Sequence, residues 1–162
     1  MFVMLQGHAK WETTDFSHLK YVINGGAPCP LPIFEKWWAK GVPFKTGYGL
    51  TEAGPNTFWL PEEDVQRKPG SVGHPLFHVD VEIVDPETLD PVPDGQEGEL
   101  VLTTLSKQAM PMIRYRTRDI TNIIAEPCPC GRTIRRIRRI GRRSDDMLII
   151  RGVNVFPSQV ET

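Results

Sequence analysis

Tyr21-Val-Ile-Asn-Gly-Gly-Ala-Pro-Cys-Pro-Leu-Pro-Ile-Phe-Glu-Lys-Trp-Trp-Ala-Lys-Gly-Val-Pro-Phe-Lys-Thr46 is the stretch that decides the fold class. Tyr21 to Ile23 is a short apolar run that ends in Asn24-Gly25-Gly26, which suits a buried strand and then a turn. Residues 32–40 place Ile33, Phe34 and Trp37 roughly on one helical face, and Gly41 stands where a helix would end. Val42 to Thr46 is a second strand candidate, closed by Gly47 and Gly49. Strand, loop, helix, strand is the unit of a parallel sheet, and its loops lie at the strands' carboxyl ends, where α/β proteins hold ligands.

Downstream the pattern changes. His78 to Val84 alternates Val79, Val81 and Ile83 with Asp80 and Glu82, and residues 85–96 are rich in Pro, Asp and Gly. Residues 99–103, 113–118, 120–124, 133–140 and 147–151 all read as strands joined by turns. The expected fold is therefore α/β: the end of a parallel-sheet subdomain over 1–70, then a small antiparallel, barrel-like β-rich subdomain over 71–143. The change of style falls near residues 66–76. Residues 144–162 read as a hinge and the start of a further domain. Ser158-Gln-Val-Glu161 has the form of a helix capping box, followed by one more residue, and Met1 to Leu5 resembles the last apolar turn of a helix. A fragment of a longer protein is the expectation.

With 40% hydrophobic and 24% charged residues among 162, wholesale disorder is excluded. The 19 basic and 20 acidic side chains name no partner in sum, but residues 1–113 carry 8 against 15 and residues 114–151 carry 11 against 4. The excess lies in the run Gly131 to Arg143, which lacks the interleaved aromatics of single-strand binders. A solvated or interdomain face is expected there, and nucleic acid is not an expected partner. No stretch is long enough to span a membrane, and three cysteines are too few for a disulfide framework, so a reduced, cytoplasmic setting is expected. Cys128 and Cys130 could give two zinc ligands with His74 and His78, but free thiols in a turn are the favoured reading, and no stoichiometric zinc is predicted. Cys29 reads as a small buried residue.

The loop Thr46-Gly-Tyr-Gly-Leu-Thr-Glu52 gathers a flat ring, a hydroxyl, a carboxylate and glycines that let backbone approach a ligand. On spacing alone it is also a Gly-rich turn with a helix-starting Thr-Glu pair. Gly25-Gly-Ala-Pro28, Tyr48-Gly-Leu-Thr-Glu52, Gly98-Glu-Leu100, Tyr115-Arg-Thr-Arg-Asp119 and Arg143-Ser-Asp-Asp146 follow one another in order. Together they resemble the acyl-adenylate-forming superfamily, the AMP-forming acyl-CoA synthetases. The front half is most similar to fatty-acyl-CoA ligases and the back half to phenylacetate–CoA ligases. The resemblance covers only the later part of such an enzyme's large domain.

That resemblance implies an activity: a fatty or aryl acid is activated with ATP to an acyl-adenylate and passed to CoA as a thioester. It implies ATP, magnesium and CoA as cofactors or co-substrates, with a small carboxylic acid, a nucleotide and the remaining N- and C-terminal parts of the same enzyme as partners. Gly26, Ala27 and Pro28 would line the adenine pocket, with Tyr48 stacking on the base and Gly49 beside it. Asn24, Gly25, Thr46 and Gly47 would face the acyl group. Thr51 would bond phosphate, Glu52 would hold magnesium, and Asp119 would accept from the ribose hydroxyls. Arg143 would approach ribose or phosphate, and Asp145 would be the hinge. The family's phosphate loop and catalytic lysine have no counterpart in these residues, and Arg142 stands where the hinge motif usually has Gly. The expected chain binds nucleotide but is catalytically silent alone.

Overall fold

The computed structural model describes every residue except Ala27, Cys130, Arg132, Gly141, Asp146, Met147, Arg151, Gly152 and 156–162. Two compact units result. The first comprises Met1–Leu50 and Gly54–His74; the second comprises Thr51–Ala53 and Pro75–Thr162.

In the first unit, β1 (Val22–Asn24) pairs in parallel with β2 (Phe44–Thr46) in the register Val22↔Phe44, Ile23↔Lys45, Asn24↔Thr46. Their crossover is α2 (Leu31–Ala39), preceded by the short helix α1 (Phe2–Gln6). The sequence explains α2 locally. Pro32 sits at its start, where a missing N–H costs nothing, and Gly41 follows its end with φ 74°. Phe34 and Trp37, three apart, fall on one face and bury against Phe44, Trp11 and Val42. Trp11 and Trp37 meet edge to face at 4.8 Å, as do Phe34 and Phe44 at 4.8 Å. The parallel strand–helix–strand expectation holds.

Residues 46–52 do not start a helix. Tyr48–Leu50 is β3, which forms an antiparallel hairpin with β4 (Gly54–Trp59), Tyr48 opposite Phe58 and Leu50 opposite Gly54. A Thr-Glu pair cannot begin a helix when the chain must reverse at once into a paired strand. A 3-10 turn at Glu62–Asp64 follows, and β5 (His74–Pro75) comes after it.

The second unit is a four-stranded antiparallel meander of β6 (Val79–Val84), β7 (Glu97–Thr104), β8 (Tyr115–Asn122) and β9 (Arg142–Arg143). Gly98 is required on β7, since a Cβ there would lie 2.5 Å from the Val84 carbonyl oxygen. Two expected strands, 113–118 and 120–124, are one strand, β8, whose register shifts midway. Residues 133–140 form no strand among the described residues; Ile137 makes only an isolated bridge to Ile123. Isoleucines three apart cannot all face one side of a period-two strand, which accounts for the difference. A short hairpin, β10 (Leu148–Ile150) with β11 (Val153–Val155), closes the described chain.

Candidate functional site

In the first unit the loops after β1 and β2 lie side by side. The Gly47 N–H donates to the Asn24 carbonyl at 2.8 Å, and a Cβ on Gly25 would stand 3.7 Å from the Gly47 carbonyl oxygen. Asn24, Gly25, Thr46 and Gly47 are thus brought together by parallel topology alone. Gly47 has little room for a side chain: a Cβ would come 3.1 Å from Asn56 Oδ1 and 3.4 Å from Ile23. The Thr46 hydroxyl is buried and has no hydrogen-bond partner among the described residues. Such an orphan costs about 1–3 kcal/mol unless a ligand or water completes it. Gly26 (φ 79°) and Pro28 are exposed, and Ala27 lies outside the described residues. Tyr48 is half-buried, its ring edge to face with Phe58 at 5.4 Å, and Gly49 follows it within β3.

The same unit contains a buried cation that sequence reasoning missed. Lys45 is 3% exposed, with Nζ 3.3 Å from the Trp59 ring centroid and 4.7 Å from that of Tyr21. Burial pushes its amine below the ordinary lysine value, and the Glu62 charge partly opposes this. Only the strand register could have shown it, because residues 44 and 45 face opposite sides of the sheet.

In the second unit the carboxylates and arginines converge. Arg143 forks onto Asp145, with Nε to Oδ1 at 2.8 Å and a terminal nitrogen to Oδ2 at 2.7 Å, while its other terminal nitrogen reaches Asp119 Oδ1 at 2.9 Å. The pairing of Asp119 with Arg143 across β8 and β9 makes this possible. Asp145 first, then Asp119, hold the guanidinium above its ordinary value against the effect of burial. Tyr115, which the motif quoted but no role named, hydrogen-bonds Glu52. Burial first and Glu52 second push its phenol up, while the nearby Arg143 and Arg118 oppose them. Lys107 Nζ donates to the Glu52 backbone carbonyl, and Thr51 is exposed. Glu52, Tyr115, Asp119, Arg143 and Asp145 therefore form one polar cluster on one unit. Chemically it offers carboxylate acceptors held by a guanidinium that a phosphate could also engage.

The arginine run is partly neutralised within its own unit. Arg135 pairs with Asp94, Arg142 pairs with Glu97 at 3.1 Å, and Arg136 donates to the Glu126 carbonyl. Cys29 is a free thiol, and Cys130 falls outside the described residues, so the zinc expectation does too. Among the described residues no three His, Cys, Asp or Glu gather as metal ligands, and no helix is long and apolar enough to cross a membrane.

Comparison with known proteins bears on what these elements serve. The profile of the family described as "AMP-binding enzyme" matches residues 1–110. The chain is 53% identical over 117 residues to a phenylacetate-coenzyme A ligase of Aromatoleum evansii, covering 70% of this chain and 24% of that one. It is 46% identical over 147 residues to a protein of the same name from Thermus thermophilus, covering 88% and 32%. Among solved structures, amide bond synthetase McbA from Marinactinospora thermotolerans superposes with TM-score 0.72 at 25% identity, covering 99% of this chain and 33% of that one. The chain thus spans a quarter to a third of the length of the curated relatives it matches.

Proposed function

The chain belongs to the AMP-binding enzyme family, and from that premise we propose that it is the nucleotide- and acid-facing portion of an AMP-forming acid–CoA ligase acting on an aryl acid. The observation that carries the reading is the Arg143 clamp, which fixes Asp119 and Asp145 on the same unit as Glu52. The names of the two phenylacetate-coenzyme A ligases support an aryl over an alkyl acid, and three cysteines, too few for a disulfide framework, suit a reduced, cytoplasmic setting.

In the proposed reaction the acid carboxylate attacks the α-phosphorus of ATP in line, pyrophosphate leaves, and the acyl-adenylate forms. The CoA thiol then attacks the acyl carbon, and AMP leaves with the carbonyl–phosphate bond electrons. Positioning and charge neutralisation dominate such chemistry. Asp119, with one oxygen fixed by Arg143, presents its carboxylate to the ribose hydroxyls. Arg143 lies close enough to that carboxylate to meet developing phosphate charge, and the orphaned Thr46 hydroxyl suits a polar atom of the acid. Gly26, Pro28 and Tyr48 would take the adenine, and Thr51 a phosphate oxygen. Glu52 is a single carboxylate with Tyr115 beside it. One carboxylate beside substrate phosphates and waters is an ordinary magnesium arrangement. Glu52 would hold that ion, which when bound neutralises phosphate charge.

Calorimetric titration of the chain with magnesium-ATP tests the reading. Saturable binding that Arg143→Leu weakens at least roughly tenfold, the cost of a lost charged hydrogen bond, supports it. Absence of ATP binding, together with steeply salt-dependent binding of duplex DNA, would overturn it in favour of a basic nucleic-acid module.

A further inference from the structure

Glu99 is fully buried, at 0% exposure, and stands outside the cluster just described. Its surroundings are specific. Oε2 accepts from Arg116 Nε at 3.1 Å and from a terminal nitrogen of the same guanidinium, which also donates to the Pro86 carbonyl at 2.8 Å. Oε1 accepts the backbone N–H of Arg118 at 2.9 Å and lies 4.0 Å from Arg118 Nε.

The backbone N–H is the informative contact. Glu99 pairs with Ile120 and Val101 pairs with Arg116, so Leu100 alone faces Thr117, Arg118 and Asp119. β8 carries a bulge there, and a bulge leaves ladder groups without strand partners. Each is satisfied individually. Thr117 Oγ1 donates to the Leu100 carbonyl at 2.8 Å and accepts the Asp119 N–H at 3.1 Å. The Arg118 carbonyl accepts the Ser144 N–H at 2.8 Å. The Arg118 N–H turns inward to Glu99, and Arg118 sits at φ 67°, a region that a non-glycine residue occupies only when its surroundings hold it there. Asp119 is the next residue, so its direction follows from that dihedral.

We infer that Glu99 is a positioning residue for the nucleotide half of the site: its buried carboxylate captures the Arg118 N–H, fixes the β8 bulge, and thereby aims Asp119 at Arg143. This deepens the nucleotide-binding reading above and rests on it only for the identity of the ligand. Arg116 supplies the countercharge that makes a fully buried carboxylate tolerable. Glutamine in its place would keep an acceptor for Arg118 and lose the charge facing Arg116. Leucine would keep much of the volume and orphan both.

The test uses the whole chain with two readouts, magnesium-ATP affinity and the 15N–1H signal of the Arg143 Nε–H, both measured well below each variant's Tm. Glu99→Leu is expected to weaken ATP binding roughly 10- to 100-fold, the equivalent of a buried donor left unpaired. It should also move or broaden the Arg143 signal. Glu99→Gln, which keeps the fold safe, should lose several-fold less affinity and shift the signal only part of the way. Should Glu99→Gln and any folded Glu99→Leu chain lower Tm yet leave affinity and signal at wild-type values, Glu99 only stabilises the sheet and the inference is overturned. Where wild-type chain binds no ATP, the ligand assignment fails, but the Arg143 signal still decides whether Glu99 sets that cluster.

Discussion

The two units each bury apolar and polar side chains, but the aromatic cluster lies in the first and the polar strand in the second. The first closes over Trp11, Phe34, Trp37, Val42 and Phe44, with aromatic rings meeting mostly edge to face. The second buries apolar residues of β6 and β7 too, but its β8 hides Thr117, Asp119, Thr121 and Asn122, and β7 hides Glu99. Apolar burial is non-directional, so the first unit needs only roughly correct shapes for its strand ends to project loops. Buried polar groups demand particular partners at particular angles, so the second unit can hold a carboxylate in one direction. The loops of the first unit are placed by topology, and the charges of the second by hydrogen bonds.

The largest expected effect tests the first half of that contrast. Trp37→Ala removes a 2%-exposed ring that touches Trp11, Phe16 and Phe44. It should cost about 3–5 kcal/mol, the usual range for a buried aromatic truncated to Ala. Urea unfolding followed by circular dichroism measures this. A loss under about 1 kcal/mol would mean that the aromatic cluster is not what holds the unit.

Next comes the clamp. Arg143 is 18% exposed and bridges Asp119, at 9%, and Asp145, at 26%. Arg143→Leu should cost roughly 2–3 kcal/mol by removing the guanidinium that both partly buried carboxylates accept from, somewhat less than a fully buried pair would. Arg143→Lys should recover less than half of this, because an ammonium cannot fork onto Asp145 while reaching Asp119. Full recovery by Lys in the same denaturation assay would show that charge alone matters there and that direction does not.

The same contrast governs how much the sequence revealed. The α2 face and the parallel pair were legible because Phe34, Trp37 and Phe44 are apolar at helical or strand spacing. The β3–β4 hairpin was not, because Gly49, Gly54 and Pro55 obscure alternation. β8 read as two strands because Arg118-Asp119 falls in its bulge, where two extra residues break the period. The motif residues of the candidate site came from family resemblance, but Tyr115 beside Glu52 and the burial of Glu99 did not. A Glu on a strand carries no mark of burial until its partner strand supplies Arg116 and a spare N–H.

Lys45 is, with Asp64, a buried charge of the first unit, and it gives a smaller, pH-dependent effect. Its amine value is lowered in the folded chain, so between that value and the free amine's 10.5 the unfolded chain binds more protons. Stability should therefore rise with pH across that window. Tyr115, raised above its ordinary 10.0, acts oppositely, losing stability as pH climbs through its folded value. Subtracting the Lys45→Met profile from that of the wild type isolates the lysine. At pH 7 this substitution should change stability by no more than about 1 kcal/mol, because the lost cation–π contact offsets the relieved desolvation. A wild-type profile with the same slope as Lys45→Met would make Lys45 an ordinary solvated cation, and a large loss at pH 7 would mean that its contacts to Trp59 and Tyr21 outweigh its desolvation.

The smallest effect lies at the β6–β7 turn, where the second unit's directional logic reaches the surface. Asp85 Oδ1 accepts the N–H groups of Glu87 at 2.8 Å and Thr88 at 3.0 Å. These two bonds, Thr88 first, depress the carboxyl below its free value of 3.8. A depressed acid contributes stability that is present above the free value and lost as pH falls through the folded one. Water competes for both N–H groups here, so the contribution is small and salt-sensitive. Asp85→Asn keeps an acceptor oxygen and Asp85→Ala removes it. The expected order in Tm at pH 7 is wild type, then Asn, then Ala, within a few degrees, and the wild-type advantage should shrink below pH 4 as the carboxyl protonates. If Asn and Ala are equally destabilised at pH 7 and the gap persists at low pH, the carboxylate's hydrogen bonds do not hold that turn.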